Sequence, residues 1–266
     1  MLGLGFAATL LLRFLGQRQP YYFVWGLGLV WYAIAAGAEA LGGAWGWTVD
    51  LYRTWYITGA IGVAAFLGAG SLYLHRKPAF GSLTVVWLLA ACAPALAGRH
   101  TAVGLLGLAS AGIVTAVLTW RPAWFAHAVF AVLVVGCVAA ATQVLQAPVD
   151  LGLLPSSPDQ VVSGQAFEPE TRALTPPFNI AGALVLLSGA GLSGLRFWRT
   201  RALQKRVAAN LFIAVGAFVP SLASGLTRYG VTSIFFLGEL IGLICILAGF
   251  LLSATTPTPS PISKSQ

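Results

Sequence analysis

Charge is what this chain has least of. Only 8% of its 266 residues are Asp, Glu, Lys or Arg, while 58% are hydrophobic; a soluble domain carries about 25% charged residues. That is too little polar surface to coat a water-soluble globule. Acid is scarcer still, with seven Asp and Glu against fifteen Lys and Arg. The three cysteines, Cys92, Cys137 and Cys245, all fall inside apolar runs. Their odd number and lack of CxxC spacing exclude a disulfide framework or a zinc site, and they read as small apolar core residues. The chain also lacks any nucleophile–base spacing or metal motif of the kind an active site needs, so no catalytic activity is expected.

What is present is apolar sequence in long runs, with a mean hydropathy of +0.84. The runs are about twenty residues long, enough to cross about 30 Å of hydrocarbon as helix. Membrane barrels would show short alternating segments instead. The expected fold is an all-α polytopic bundle, residues 1–253, with nine spans at 2–16, 21–43, 54–74, 79–97, 101–119, 123–146, 178–197, 207–227 and 231–253. The count falls to eight if the first, short and interrupted by Arg13, does not cross fully. Residues 254–266, with Pro257, Pro259 and Pro261 among Ser and Thr, read as a disordered tail.

Threading these spans sorts the charges. Arg13, Arg18, Arg76, Lys77, Arg121, Arg196, Arg199, Arg201, Lys205, Arg206 and Lys264 fall on one side, and only Arg53, Arg99, Arg172 and Arg228 on the other. The positive-inside rule makes the first side cytoplasmic. The expected placement is therefore the plasma membrane, N-terminus outside and C-terminus inside. The net charge of +8 is loop charge rather than a nucleic-acid patch, and the run Arg196 to Arg206 reads as a contact for anionic lipid headgroups. All seven acids lie in outer loops or outer helix halves.

Two groups of polar residues stand out. Glu239 lies eight residues into the last span, about 12 Å deep at 1.5 Å per residue, where an acid costs about 2.5–3.5 kcal/mol to insert. It must be neutral, paired or facing water. Pro220 in the preceding span frees the Gly216 carbonyl; Ser221, Ser224 and Arg228 follow as possible company. The second group surrounds the outer mouth: Glu39 and Arg53, expected to pair across the Trp45-Gly46-Trp47 hairpin, with Tyr56, Gln143, Gln146 and Asn179. Together these residues are candidates for an outward-facing polar cavity. Above them runs the outer loop, about 147–177, with six prolines. It is either a lid over the mouth or a flexible connector.

Other features read as structure. Gly189-Ala190-Gly191-Leu192-Ser193-Gly194 matches GxGxxG, but it lies inside a span rather than between strand and helix, so it reads as a packing face. Ala60, Ala64 and Gly68 form another at four-residue spacing. His75 and His127 share one membrane half. They admit a bis-histidine haem or hydrogen bonds to neighbours; with no supporting ligand spacing, no cofactor is expected.

Glu39, Tyr52-Arg53-Thr54-Trp55-Tyr56 and Gly68-Ala69-Gly70-Ser71-Leu72-Tyr73-Leu74 together resemble a type of uncharacterised bacterial multi-pass protein. Thr175-Pro176-Pro177-Phe178-Asn179-Ile180-Ala181-Gly182 and Ala209-Asn210-Leu211-Phe212-Ile213-Ala214-Val215-Gly216 are similar too. The resemblance spans most of the chain and carries no activity. Glu39 with Tyr52-Arg53 is also similar to the membrane sensor regions of some histidine kinases, although no kinase domain follows in these 266 residues. Two functional expectations remain: a transporter or permease-like protein for a small solute or ion, or a non-transporting membrane subunit, sensor or scaffold acting through packing and partner contact.

Overall fold

The computed structural model describes residues 2–75, 77–98, 100–157, 160–200, 208–209, 211–213, 215–216, 219–220, 223 and 234–254. Helix dominates these residues. In chain order they form α1 (Leu2–Gln17), α2 (Pro20–Trp45), α3 (Val49–Trp55), a π-helix (Tyr56–Val63), α4 (Ala64–Leu74), α5 (Pro78–Ala97), α6 (Thr101–Trp120) and α7 (Phe125–Gln146). Then come α8 (Pro169–Arg172), α9 (Thr175–Thr200) and α10 (Phe235–Ala254). Among the described residues the one β-contact is an isolated antiparallel bridge between Val149 and Phe167.

The boundaries have local causes. Pro20 and Pro78 open α2 and α5, where a missing N–H costs nothing and the fixed φ suits the first turn. The helix α2 ends at Gly46, whose φ of 88° is open to a residue without Cβ. Thr48 then caps α3, its hydroxyl accepting from the Leu51 amide at 3.2 Å, one of the donors the first turn leaves free.

Seven helices among the described residues are long and apolar enough to cross a membrane: Pro20–Trp45, Val49–Leu74, Pro78–Ala97, Thr101–Trp120, Pro122–Gln146, Pro169–Leu195 and Phe235–Leu252. The chain therefore has the build of a multi-pass membrane protein, with fewer demonstrated spans than the nine expected. The helix α1 has 16 residues, about 24 Å at 1.5 Å per residue, short of the hydrocarbon thickness. About half of the expected span 207–227 lies outside the described residues, as do all of the tail 255–266 and residues 201–206 of the basic run.

The chain divides into two compact units, Met1–Leu186 and Leu187–Gln266. In the first, Val49–Leu74 is the most enclosed span, with 61% of its apolar window buried. It packs on α2 and α7. At one end of this unit a cluster gathers Ala35, Ala38, Tyr52, Trp55, Tyr56, Ile61, Ala140 and Val144 with residues of the 147–174 loop. Toward the other end a second cluster joins Val24, Phe66, Leu72, Tyr73, Phe80, Val114 and Phe125.

Small residues set the helix crossings. Side chains at Gly68 and Gly182 would run into backbone: a Cβ on the first would meet Gly182, and on the second the Ala64 carbonyl. Ala64 and Gly68, two of the three residues at that spacing, thus form the close-packing face; Ala60 is not part of this contact. At the next crossing the Trp25 indole N–H donates to the Leu67 carbonyl at 2.9 Å. Trp25→Phe is expected to lose about 1 kcal/mol, the usual size of an interhelical hydrogen bond in a membrane bundle, read as a lower denaturation midpoint in detergent. The GxGxxG run lies within α9, and a Cβ on Gly191 or Gly194 would find open space. Among the described residues these two glycines support no close approach.

Candidate functional site

Three of the candidate residues, Glu39, Arg53 and Tyr56, gather at the end of the first unit where α2 turns into α3, but in pairings other than the sequence suggested. Glu39 does not meet Arg53 among the described contacts. Its Oε1 accepts from the Trp55 indole N–H at 2.6 Å. The reason is helical phase: residues two apart on a helix point to nearly opposite sides. Trp55 faces α2, so Arg53 turns away from it. The Arg53 guanidinium donates instead to the Ala147 carbonyl at 2.8 Å, just past the end of α7. Its second terminal nitrogen lies 3.9 Å from the exposed Asp50 carboxylate, a contact of small energetic weight at that exposure.

Two tyrosines flank these contacts. The Tyr52 hydroxyl donates to the Ser163 carbonyl at 2.7 Å. The Tyr56 hydroxyl lies 3.3 Å from the Thr175 hydroxyl. Each bond joins the α3–π-helix stretch to the 147–174 loop or to the start of α9. The rings add a second layer of contact. Tyr52 stacks on Trp55 at 5.6 Å between centroids, and Trp47 meets both edge-on at 6.2 Å. Phe167, from the loop, lies 5.0 Å from Tyr52 and 4.7 Å from Tyr56. Aromatic pairs of this kind contribute about 0.5–1.5 kcal/mol each beyond area burial.

The described residues of the loop therefore form a cap packed on this cluster. Val162, Ala166, Phe167 and Leu174 are all buried in the same cluster as Tyr52, Trp55 and Tyr56. The Asp150 amide donates to the Ala166 carbonyl at 2.9 Å, beside the Val149–Phe167 bridge. Asp150 also accepts from the Gly152 amide at 2.9 Å, an Asx-type turn that fixes the next three residues. The composition of the loop suggested little to bury. What it buries is a few apolar side chains spaced between its prolines.

The remaining candidates are dispersed. Gln143 and Gln146 are exposed on the last turns of α7, and Asn179 is half-buried in the first turns of α9. Glu239 belongs to the second unit, half-buried on α10, five residues into the described helix. Ser221, Ser224 and Arg228 lie outside the described residues. The Gly216 carbonyl freed by Pro220 sits against the backbone of Gly242, since a Cβ on Gly242 would meet both that oxygen and the Pro220 ring. Gly238, Gly242 and Gly249 of α10 all make such close approaches, to Ala223, to Gly216 and Pro220, and to Ala209 and Ile213 respectively. The hollow alongside is aliphatic, lined by Val219, Ala223, Ile234, Leu237, Gly238 and Ile241.

At the opposite end of the first unit the histidines bond to neighbours. The Tyr73 hydroxyl and His127 Nδ1 are 3.2 Å apart, and His75 Nδ1 donates to the Ser71 carbonyl at 3.0 Å. Among the described residues no group of three or more His, Cys, Asp or Glu is placed to hold a metal ion. No protein-family model, curated protein or solved structure matches this chain.

The site that sequence reading missed is the aromatic floor. In the sequence Trp47 reads only as part of the hairpin, Tyr56 only as a cavity candidate, and Phe167 is the loop's one aromatic. Their convergence depends on the loop folding back, which no local pattern announces.

Proposed function

We propose that this protein is a non-transporting membrane sensor or scaffold whose 147–174 loop is a fastened cap on the extracellular side. One observation carries this reading: Glu39 and Arg53, expected to line a cavity, instead join Tyr52 in holding the cap and its floor together. Arg53 binds Ala147, Tyr52 binds Ser163 and Glu39 binds Trp55, and the space between them is filled by aromatic rings. A solute pathway needs such groups turned toward water. A docking or sensing surface needs them immobilised beneath a shaped exterior. That exterior carries Leu151 and Leu153, 65% and 54% exposed, on the short turn that Asp150 stiffens. We assign them to partner contact. In this reading the protein resides in the plasma membrane with its N-terminus outside and its C-terminus inside. The basic run Arg196 to Arg206 lies against anionic lipid, and the chain performs no catalysis.

Cysteine accessibility tests the proposal. In full-length protein carrying alanine at positions 92, 137 and 245, Glu39→Cys is expected to resist a membrane-impermeant maleimide applied from either side. Rapid labelling from one face would show a water path under the cap and return the protein to the transport reading. Glu239→Cys applies the same test to the second unit, where transport again predicts one-sided labelling.

A further inference from the structure

The helix that carries the cap's anchors is broken by a rare element. Residues Tyr56–Val63 are π-helical between α3 and α4. A π-helical stretch holds more residues per turn than an α-helix and occurs mostly as a short bulge, frequently at functional positions. Its two flanks are held by different parts of the first unit. On the N-terminal flank Tyr52, Arg53 and Trp55 are bonded to Ser163, Ala147 and Glu39, and Tyr56, opening the π-helix, lies beside Thr175. On the C-terminal flank Ala64 and Gly68 are locked against Gly182 by backbone contact. Leu67 accepts from Trp25, and Tyr73 meets His127. The bulge therefore lies between a flank shared by the cap, α2 and the start of α9 and a flank held by neighbouring helices alone.

A second sign of imperfect fit lies beside it. The Trp31 indole N–H is buried without a hydrogen-bond partner among the described residues. Its ring presses on Gly62, within the π-helix, and meets Phe66 edge-on at 6.0 Å. The neighbouring Trp25 and Trp55 both place their indole N–H groups on an oxygen of the facing helix. A buried donor left unmatched disfavours the arrangement that strands it. The unmatched donor and the π-helical register coincide at one crossing. Arg53 Nε, on the capped flank, is likewise buried with no hydrogen-bond partner among the described residues.

We propose that Tyr56–Val63 is a rotary joint held in its π-helical register by the seated cap. This inference rests on the cap reading above and deepens it. When the cap lifts, the bonds from Tyr52 and Arg53 to the loop are lost. The surplus residue is then absorbed into α-helix, and α3 turns by about 100° relative to α4, the rotation of one residue at 3.6 per turn. Trp55 swings off Glu39, and the crossing at Gly62, where the Trp31 ring presses, is reset. The α4 flank stays in place because Gly68 and Gly182 leave no room to rotate. An event at the cap is thereby converted into rotation of a helix inside the bundle.

The test measures spin-label distances in full-length protein in nanodiscs, with alanine at positions 92, 137 and 245 and labels on Thr54→Cys and Gln143→Cys, both exposed sites. A rotation of this size displaces a label by roughly 8 Å at a side-chain radius of about 5–6 Å. The otherwise wild-type chain is expected to give one distance. Phe167→Ala and, independently, Arg53→Gln loosen the cap and are expected to add a second. Deleting Ala60 removes the surplus residue, so Phe167→Ala in that background is expected to return to one distance. Should the deletion fail to assemble, the two cap variants alone decide. A single unchanged distance in both cap variants, with the cap shown to be open, overturns the joint. A second distance that survives the deletion overturns the π-helix as its source. Cap opening is read separately from labelling of Val162→Cys, a cap position buried against the bundle. Fast labelling there in the otherwise wild-type chain overturns the cap reading itself, and the joint with it.

Discussion

Gly182→Val is expected to prevent assembly of the first unit or to lower its denaturation midpoint in detergent far more than Gly191→Val or Gly194→Val. The cause is contact between backbones. A Cβ at Gly182 would fall on the Ala64 carbonyl and the Ala65 amide, while a Cβ at Gly68 would fall on Gly182 itself. A side chain that meets another side chain can change rotamer, but one that meets a carbonyl can only push the helix away. Overpacking that side chains can partly absorb costs about 1–3 kcal/mol, and here there is no such relief. Separating α9 from α4 would also strip contacts from the second cluster, where Val185 lies one turn along α9 from Gly182. Gly191→Val in the same helix is the control, because a Cβ there meets nothing within 4 Å. Equal stability of the two variants would show that the crossing is not close-packed.

How much of this was readable depends on which interaction sets each feature. The spans follow from apolar runs of membrane length, a property of consecutive residues. Their helices accordingly begin and end within a few residues of expectation, as at Pro78–Ala97 and Thr101–Trp120. The small-residue face Ala64–Gly68 was legible from four-residue spacing, but its partner Gly182 was not, because nothing local pairs one glycine with another. The Glu39–Arg53 pairing failed on helix phase. Distance along the hairpin placed the two charges within reach, while the orientation of α3 gave Glu39 to Trp55 instead. The loop misled through its average composition. Six prolines and four acids between 147 and 177 describe a polar connector, yet Val162, Ala166, Phe167 and Leu174 suffice to dock it. The π-helix has no sequence signature at all, since it reflects how two separately held flanks share a fixed number of residues.

Phe167→Ala is expected to unseat the cap while leaving the helical bundle intact. Phe167 is 2% exposed and is the loop's only ring in the aromatic floor, within 5.0 Å of Tyr52 and 4.7 Å of Tyr56. Truncating a buried phenylalanine to alanine costs about 3–5 kcal/mol, part of it here from two lost ring pairs. The loop is tied to the bundle mainly through this cluster and a few hydrogen bonds. Its opening is therefore a local event with its own free energy, well below that of global unfolding. The loss should appear there. At 1.36 kcal/mol per tenfold, 3 kcal/mol corresponds to about a hundredfold rise in the cap-open population. Maleimide labelling of Val162→Cys should accelerate by that factor when opening limits access. Amide exchange across residues 160–174 should rise with it, while exchange in α5 and α6 stays unchanged. A flexible connector would give fast labelling before and after the substitution. A cap essential to the whole fold would instead raise exchange in every helix at once. The selective result requires a cap that is ordered yet separable from the bundle, the property a sensor needs if a partner or ligand is to shift its position at modest cost.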